Sequence, residues 1–238
     1  MVEREDCYCR GMQSLPSVGP ERRRRKFLLW DNDGVLVDSE RWYFEATRRT
    51  LSALGVGLDQ GTYLRIMARG GSCWELAARA GIADATIARA RAERDALYHR
   101  LLVAEDITVP GIESTLEVLR RSHRMAIVTT AYRADIEVIH RDRSILPFFE
   151  FVVAYEDYAR AKPDPEPYVQ ALNRFGVVDL SEALAIEDSS RGLAAAVAAG
   201  IDCVVVRNAF TAAQDFSKAW RIVDSVQELP ELLDLPFI

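Results

Sequence analysis

The sequence predicts an α/β fold, a doubly wound parallel sheet interrupted by an inserted α-helical domain, and three observations predict it. Short β-branched apolar runs recur along the chain, helix-length segments separate them, and the interval between the first two runs holds helical patterns alone. Near-continuous apolar strands are what a parallel sheet buried on both faces requires. At 238 residues, 49% of them hydrophobic, the chain is long enough for one such domain and an insertion.

Taken in order, residues 1–24 mix charge, Gly, Pro and Ser without apolar periodicity and read as an N-terminal extension. The basic run "ERRRRK" (Glu21 to Lys26) reads as a solvated lead-in to the first strand. A net charge of -6 argues against a general nucleic-acid binder. The Rossmann-like core is expected over residues 25–38 and 109–238. Its strands are "KFLLW" before Asp31, "MAIVTT" from Met125 to Thr130, "FEFVVA" ending at Ala154, "ALAIED" ending at Asp188 and "CVVVR" ending at Arg207.

Residues 39–108 form the expected insertion. Helical stretches are expected at Arg41 to Leu54 and Asp84 to Leu102. In the latter Ile87, Ala90, Leu97 and Leu101 recur at three- and four-residue spacing. No apolar run reaches the roughly 20 residues that span a bilayer, and the N-terminus lacks a secretory apolar core, so a soluble cytoplasmic protein without membrane contact is expected. Cys7, Cys9, Cys73 and Cys203 have no metal-site spacing and read as free thiols.

Ligands of open parallel sheets bind beyond the carboxyl ends of the strands. Those ends carry a coherent set: Asp31 and Asp33 after the first run, Thr129 and Thr130 after the second, Glu187 and Asp188 after the fourth. Between the third and fourth lies "RAKPDPEPY" with Lys162, in a chain that has 3 lysines against 27 arginines. Each group alone has an ordinary explanation as a cap, a strand-end hydroxyl or a surface charge. "EDSSRG", for example, begins a helix that Asp188 or Ser189 can cap and Gly200 can end.

Their joint occurrence in order points to Mg2+ and phosphate. Magnesium takes oxygen ligands, one or two carboxylates together with substrate phosphate and water. Asp31, Asp188 and the Asp33 carbonyl can supply such a shell, tuned by Glu187. Lys162 and the Thr129 hydroxyl can hold a phosphoryl group while one aspartate acts as nucleophile and the other moves protons. Gly34 permits close backbone approach.

The stretches "DNDGVLVDSE", "IVTTAYR", "AKPDPEPY" and "IEDSSRGLAAAVAAG" resemble the four motifs of the haloacid dehalogenase-like hydrolase superfamily, over about residues 27–210. The resemblance implies that Asp31 is the nucleophile and Asp33 the general acid/base. It implies that Thr129 and Lys162 hold the phosphoryl group and that Asp188, with Glu187, binds Mg2+. The helical insertion resembles that superfamily's C1 cap, as in β-phosphoglucomutase-like and phosphoglycolate phosphatase-like members. One departure is Asn32, where many relatives carry an apolar residue; its side chain is expected to point away from the site.

Asp33 favours phosphate-ester chemistry, because dehalogenating and phosphonate-cleaving members lack an aspartate there. The expected activity is hydrolysis of a small phosphorylated metabolite, a sugar phosphate or a phosphoglycolate-like monoester. A sugar-phosphate mutase is the alternative, although β-phosphoglucomutase carries a histidine where Tyr43 stands. A binding protein on a retired enzyme scaffold is a third reading, and no catalytic carboxylate or lysine is missing to support it. Cap candidates for substrate contact are Tyr43, Arg69, Gly71 and Ser72, joined by Thr130 from the core. Trp42 and Trp74 are expected to pack cap helices. His99, His123 and His140 are placed in helical segments away from the strand ends, as solvated or core-edge residues.

Overall fold

The structure, a computed structural model, describes residues 25–233; Cys7, Cys9 and most of the arginine run lie outside the described residues. Six parallel strands form one sheet: β1 (Phe27–Trp30), β2 (Arg124–Val128), β3 (Val152–Val153), β4 (Ala183–Glu187), β5 (Asp202–Val206) and β6 (Arg221–Val223). Their spatial order is β3-β2-β1-β4-β5-β6. In register, Trp30 lies beside Ile127 on β2 and Ile186 on β4, so the ends of the three central strands are level. Here, between β1 and β4, the winding of the sheet changes direction, which is where such folds open a ligand crevice.

All four residues of β1 are buried, as a strand covered on both faces demands. Phe27 and Leu29 join one core cluster with Ala126, Ala185 and Val205. Leu28 and Trp30 join the other with Ile127, Ile186 and Val204. The period of two along each strand thus sends alternate side chains to opposite faces. Helices α7 (Glu166–Phe175) and α8 (Ser190–Ala198) cover the first face, and α5 (Ile112–Leu119) and α9 (Leu229–Leu232) the second. Ser189 caps α8 by accepting from the Gly192 N–H, and Gly200 follows its end at φ +81°, as the residue types suggested.

Between β1 and α5 run four helices: α1 (Glu40–Ala53), α2 (Gln60–Ala68), α3 (Trp74–Arg79) and α4 (Asp84–Ala104). They build two apolar clusters of their own. One joins Leu51, Tyr63, Trp74 and Ile87; the other joins Ala46, Tyr98 and Leu102 to Ile139 of α6 (Arg133–His140). The chain leaves and re-enters the core side by side, where Val37 bridges Thr108 and the Asp38 N–H donates to the Ile107 carbonyl at 2.9 Å.

Several expectations need correction. The run "FEFVVA" yields only a two-residue strand, Val152–Val153, at the edge of the sheet, although the Glu150 N–H and the Phe151 carbonyl also bond to β2. The sixth strand was missed: "RIV" is three residues long with two exposed, too short to show periodicity. Arg25 is no solvated lead-in. It is 6% exposed, donates to the Ser181 and Ala183 carbonyls, pairs with Asp202 and lies over the Trp220 ring. His123 stands in the turn before β2 rather than in a helix. His140 is buried, its Nε2 2.7 Å from Asn32 Oδ1, so the Asn32 side chain does turn away from the strand-end cleft.

Candidate active site

The strand ends bring together Asp31, Thr129, Lys162, Glu187 and Asp188, all buried. Lys162 is the organising cation. Its Nζ donates to Asp31 Oδ1 at 3.0 Å, the Val128 carbonyl at 2.7 Å and Glu187 Oε1 at 2.7 Å. Three N–H donors thus meet three acceptors. Burial opposes the lysine charge, and the carboxylates of Asp31 and Glu187 hold it protonated.

Glu187 is held from two further directions. The Tyr168 hydroxyl donates to Oε1 at 2.6 Å and the Ser189 hydroxyl to Oε2 at 3.3 Å. Gly192 makes room for it: a Cβ there would fall 1.9 Å from the Glu187 carboxylate. Asp188 Oδ2 accepts from Asn208 Nδ2 at 2.8 Å. Asn208 in turn accepts from the N–H groups of Phe210 and Thr211 at 2.9 Å, which fixes its amide. Gly34, at φ +82°, passes so close that a Cβ would stand 2.1 Å from Asp188 Oδ2, which gives the expected close approach a physical reason.

Carboxylate oxygens of Asp31, Glu187 and Asp188 all lie within 4.8 Å of one another. Crowding and burial raise their cost. Burial first, then the charge of Glu187, push the Asp31 carboxyl up to about 8, against the pull of Lys162. Asp188 is raised by burial first, then by the charges of Asp31 and Glu187. Three buried carboxylates against one lysine, all offering oxygen, fit a hard divalent cation. The lone pairs left open belong to Asp31 and Asp188, because Glu187 is engaged by Lys162, Tyr168 and Ser189.

Asp33 stands outside that cluster. The Ser39 hydroxyl donates to its Oδ1, and the Thr129 hydroxyl lies 3.4 Å from its Oδ2. The Thr129 oxygen also accepts from the Ala131 N–H at 3.0 Å.

Two connected spaces open from these residues. A cleft of about 40 Å³ is lined by Asp31, Asp33, Asp188 and neighbours. A cavity of about 440 Å³ lies between the core and the four-helix insert. Tyr43, Gly71, Ser72 and Thr130 line the cavity. Trp74 packs in the insert and also faces it, whereas Trp42 only packs beside Val37 and Leu102. Arg69 does not take part. Its side chain is 54% exposed and pairs with Glu75 at 2.7 Å. The three histidines are also absent from the lining.

Sequence reasoning missed Asn208, Glu40, Tyr63, Arg94 and Arg191. The Tyr63 hydroxyl donates to Glu40 Oε1 at 2.6 Å, and the Arg94 guanidinium lies 4.2 Å from the centre of the Tyr43 ring. Arg191 Nη2 donates to the Thr130 hydroxyl at 3.2 Å. Arg191, within the "EDSSRG" stretch, and Glu40, at the end of "DNDGVLVDSE", lay in motifs that could have flagged them.

The chain as a whole has relatives. The chain belongs to the haloacid dehalogenase-like hydrolase family, whose profile matches residues 28–206. It is 30% identical over 224 residues to the protein CbbY of Rhodobacter capsulatus, covering 87% of this chain and 98% of that one. It is 34% identical to a phosphoglycolate phosphatase of Cupriavidus necator, covering 87% and 92%. Among solved structures, a mutant CbbY from Rhodobacter sphaeroides in complex with xylulose-(1,5)bisphosphate superposes with a TM-score of 0.74 at 28% identity, covering 86% and 96%.

Proposed function

We propose that this protein is a Mg2+-dependent phosphatase that hydrolyses a small phosphate monoester, a sugar phosphate or a phosphoglycolate-like metabolite, through an aspartyl-phosphate on Asp31. The observation that carries the reading is the division of labour between the two aspartates. Asp31 is pinned by Lys162 inside the carboxylate cluster, while Asp33 stands outside it and lines both the cleft and the cavity. Family membership and the relatives' names support the same chemistry.

Asp31 attacks phosphorus as the ester P–O bond breaks, and Asp33 gives its proton to the departing oxygen. Asp33 then takes a proton from water, which attacks the acyl phosphate, and inorganic phosphate leaves with Asp31 restored. Thr129 and the backbone N–H groups beside it orient the phosphoryl oxygens. Lys162 keeps Asp31 aimed and offsets charge around it. Asp31 and Asp188 would hold Mg2+, with Asn208 fixing Asp188 and Glu187 fixing Lys162. When bound, the ion supplies positive charge that keeps Asp31 ionised and balances the phosphoryl oxygens. The four-helix insert acts as a cap. Closing over the cavity excludes bulk water and sorts leaving groups.

The test is phosphate release from a panel of small phosphomonoesters, with and without Mg2+, by wild type and Asp31→Asn. Magnesium-dependent release is expected, falling on the order of 10⁴-fold or more in the variant, as for loss of other covalent nucleophiles. Including β-glucose 1-phosphate with a glucose 6-phosphate readout reports a mutase instead. Undiminished release by Asp31→Asn would sink the mechanism.

A further inference from the structure

Arg191 is the second residue of α8, a position no motif assigned. Asp33, Glu40, Met67, Thr130 and Arg191 line both the small cleft and the large cavity, and so form the throat between them. Among the residues lining the cleft, Arg191 is the one cation, facing four carboxylates: Asp31, Asp33, Glu40 and Asp188. Lys162 lines the cavity but not the cleft, and its three donors are spent on Asp31, Val128 and Glu187. Little of the lysine is left to meet an arriving anion, since it is 1% exposed.

Arg191 differs on each count. It is only partly buried, and its contact with the Thr130 hydroxyl at 3.2 Å leaves most of a five-donor guanidinium to engage an oxyanion. Burial works against its charge, and the carboxylates of Glu40, Asp31 and Glu187 sustain it.

We propose that Arg191 is a substrate-binding residue whose guanidinium meets an oxyanion of the substrate at the throat. The proposal rests on the phosphatase reading of the cleft and adds a binding group to it. Glu40 lines the same throat: its carboxylate, fixed by the Tyr63 hydroxyl, sustains the Arg191 charge until an oxyanion arrives. The oxyanion can come from the transferring phosphoryl group or from a carboxylate next to the ester carbon.

The experiment measures equilibrium binding with Mg2+ present, using ligands that cannot turn over. These are inorganic phosphate, propylphosphonate and 3-phosphonopropionate, the last two being P–C bonded isosteres of ethyl phosphate and 2-phosphoglycolate. Wild type, Arg191→Met, Arg191→Lys and Glu40→Gln are compared, with thermal unfolding confirming that each folds. Arg191→Met is expected to weaken at least one ligand about tenfold or more, the loss of a charge-assisted contact. Arg191→Lys should recover part of it. Equal weakening of all three ligands assigns the contact to the phosphoryl group; weakening confined to 3-phosphonopropionate assigns it to the carboxylate.

Glu40→Gln separates binding from mere charge balance at the throat. Binding that is kept or tightened there supports the proposal, because a competitor for the guanidinium is gone. The proposal is overturned if Arg191→Met binds all three ligands like wild type, if wild type binds none, or if Glu40→Gln loses as much as Arg191→Met. Failure of wild type to release phosphate from any ester would instead count against the phosphatase reading and leave this binding result standing.

Discussion

The phosphoryl cleft and the cavity under the insert share a throat, yet they are built in opposite ways. At the strand ends beside the cleft the charged groups are tied to one another and to fixed neighbours: Lys162 to Asp31 and Glu187, Asn208 to Asp188, Tyr168 to Glu187. In the cavity, arginines lie over aromatic rings, Arg94 on Tyr43 and Arg91 on Trp74, along helices that carry no phosphoryl motif. The difference teaches where rigidity is needed. Phosphoryl transfer tolerates little misplacement, so its groups stand on a sheet that cannot flex independently. Under the proposed function substrate selection tolerates variation, which suits helices on two linkers.

If that contrast is right, damage to the cleft should unsettle the whole fold, and damage to the insert surface should not. Lys162→Met should show the largest effect. It leaves Asp31 and Glu187 buried without their cation, and should cost about 3–5 kcal/mol in denaturant unfolding of metal-free protein as well as nearly all phosphate release. A stable Lys162→Met protein would break the comparison.

Next comes the buried pair behind the catalytic loop. Burial first, then Arg143, hold His140 down at about 4, below its ordinary 6.5. A histidine with a lowered folded pKa stabilises fully above pH 6.5 and loses that contribution as pH falls toward 4. The loss should reach about 3 kcal/mol by pH 4. His140→Gln, which keeps a donor for Asn32, should flatten that acid limb in urea midpoints measured from pH 7 to 4.

Asn208→Ala should act on the metal rather than on the fold. Freed from its amide partner, Asp188 is expected to bind Mg2+ about 10- to 100-fold more weakly, read from the Mg2+ dependence of phosphate release or by calorimetry. Arg69→Ala closes the series. An exposed pair with Glu75 is worth less than about 1 kcal/mol, and kcat/KM should change less than about twofold. A large selective loss would restore Arg69 to the substrate site and blur the line drawn at the cavity wall.

The amino-acid sequence by itself determined five of the six strands and which residues follow them at their carboxyl ends. Each depends on local order: an apolar run makes a buried strand, and the next residues necessarily stand at its carboxyl edge. Asp31, Thr129, Lys162 and Asp188 were legible for that reason, and Gly34 was legible as a close approach. Only the tertiary structure decided which insert residues face the cavity, since neighbouring turns of helices can turn either way. It sent Arg69 to solvent and brought Glu40 and Arg191 to the throat from 151 positions apart. It also drew Arg25 from an apparent charged tail into a buried network, and paired His140 with Asn32 across 108 residues. A polar side chain's partner is a matter of which surfaces meet when the layers pack, and no local pattern encodes that meeting.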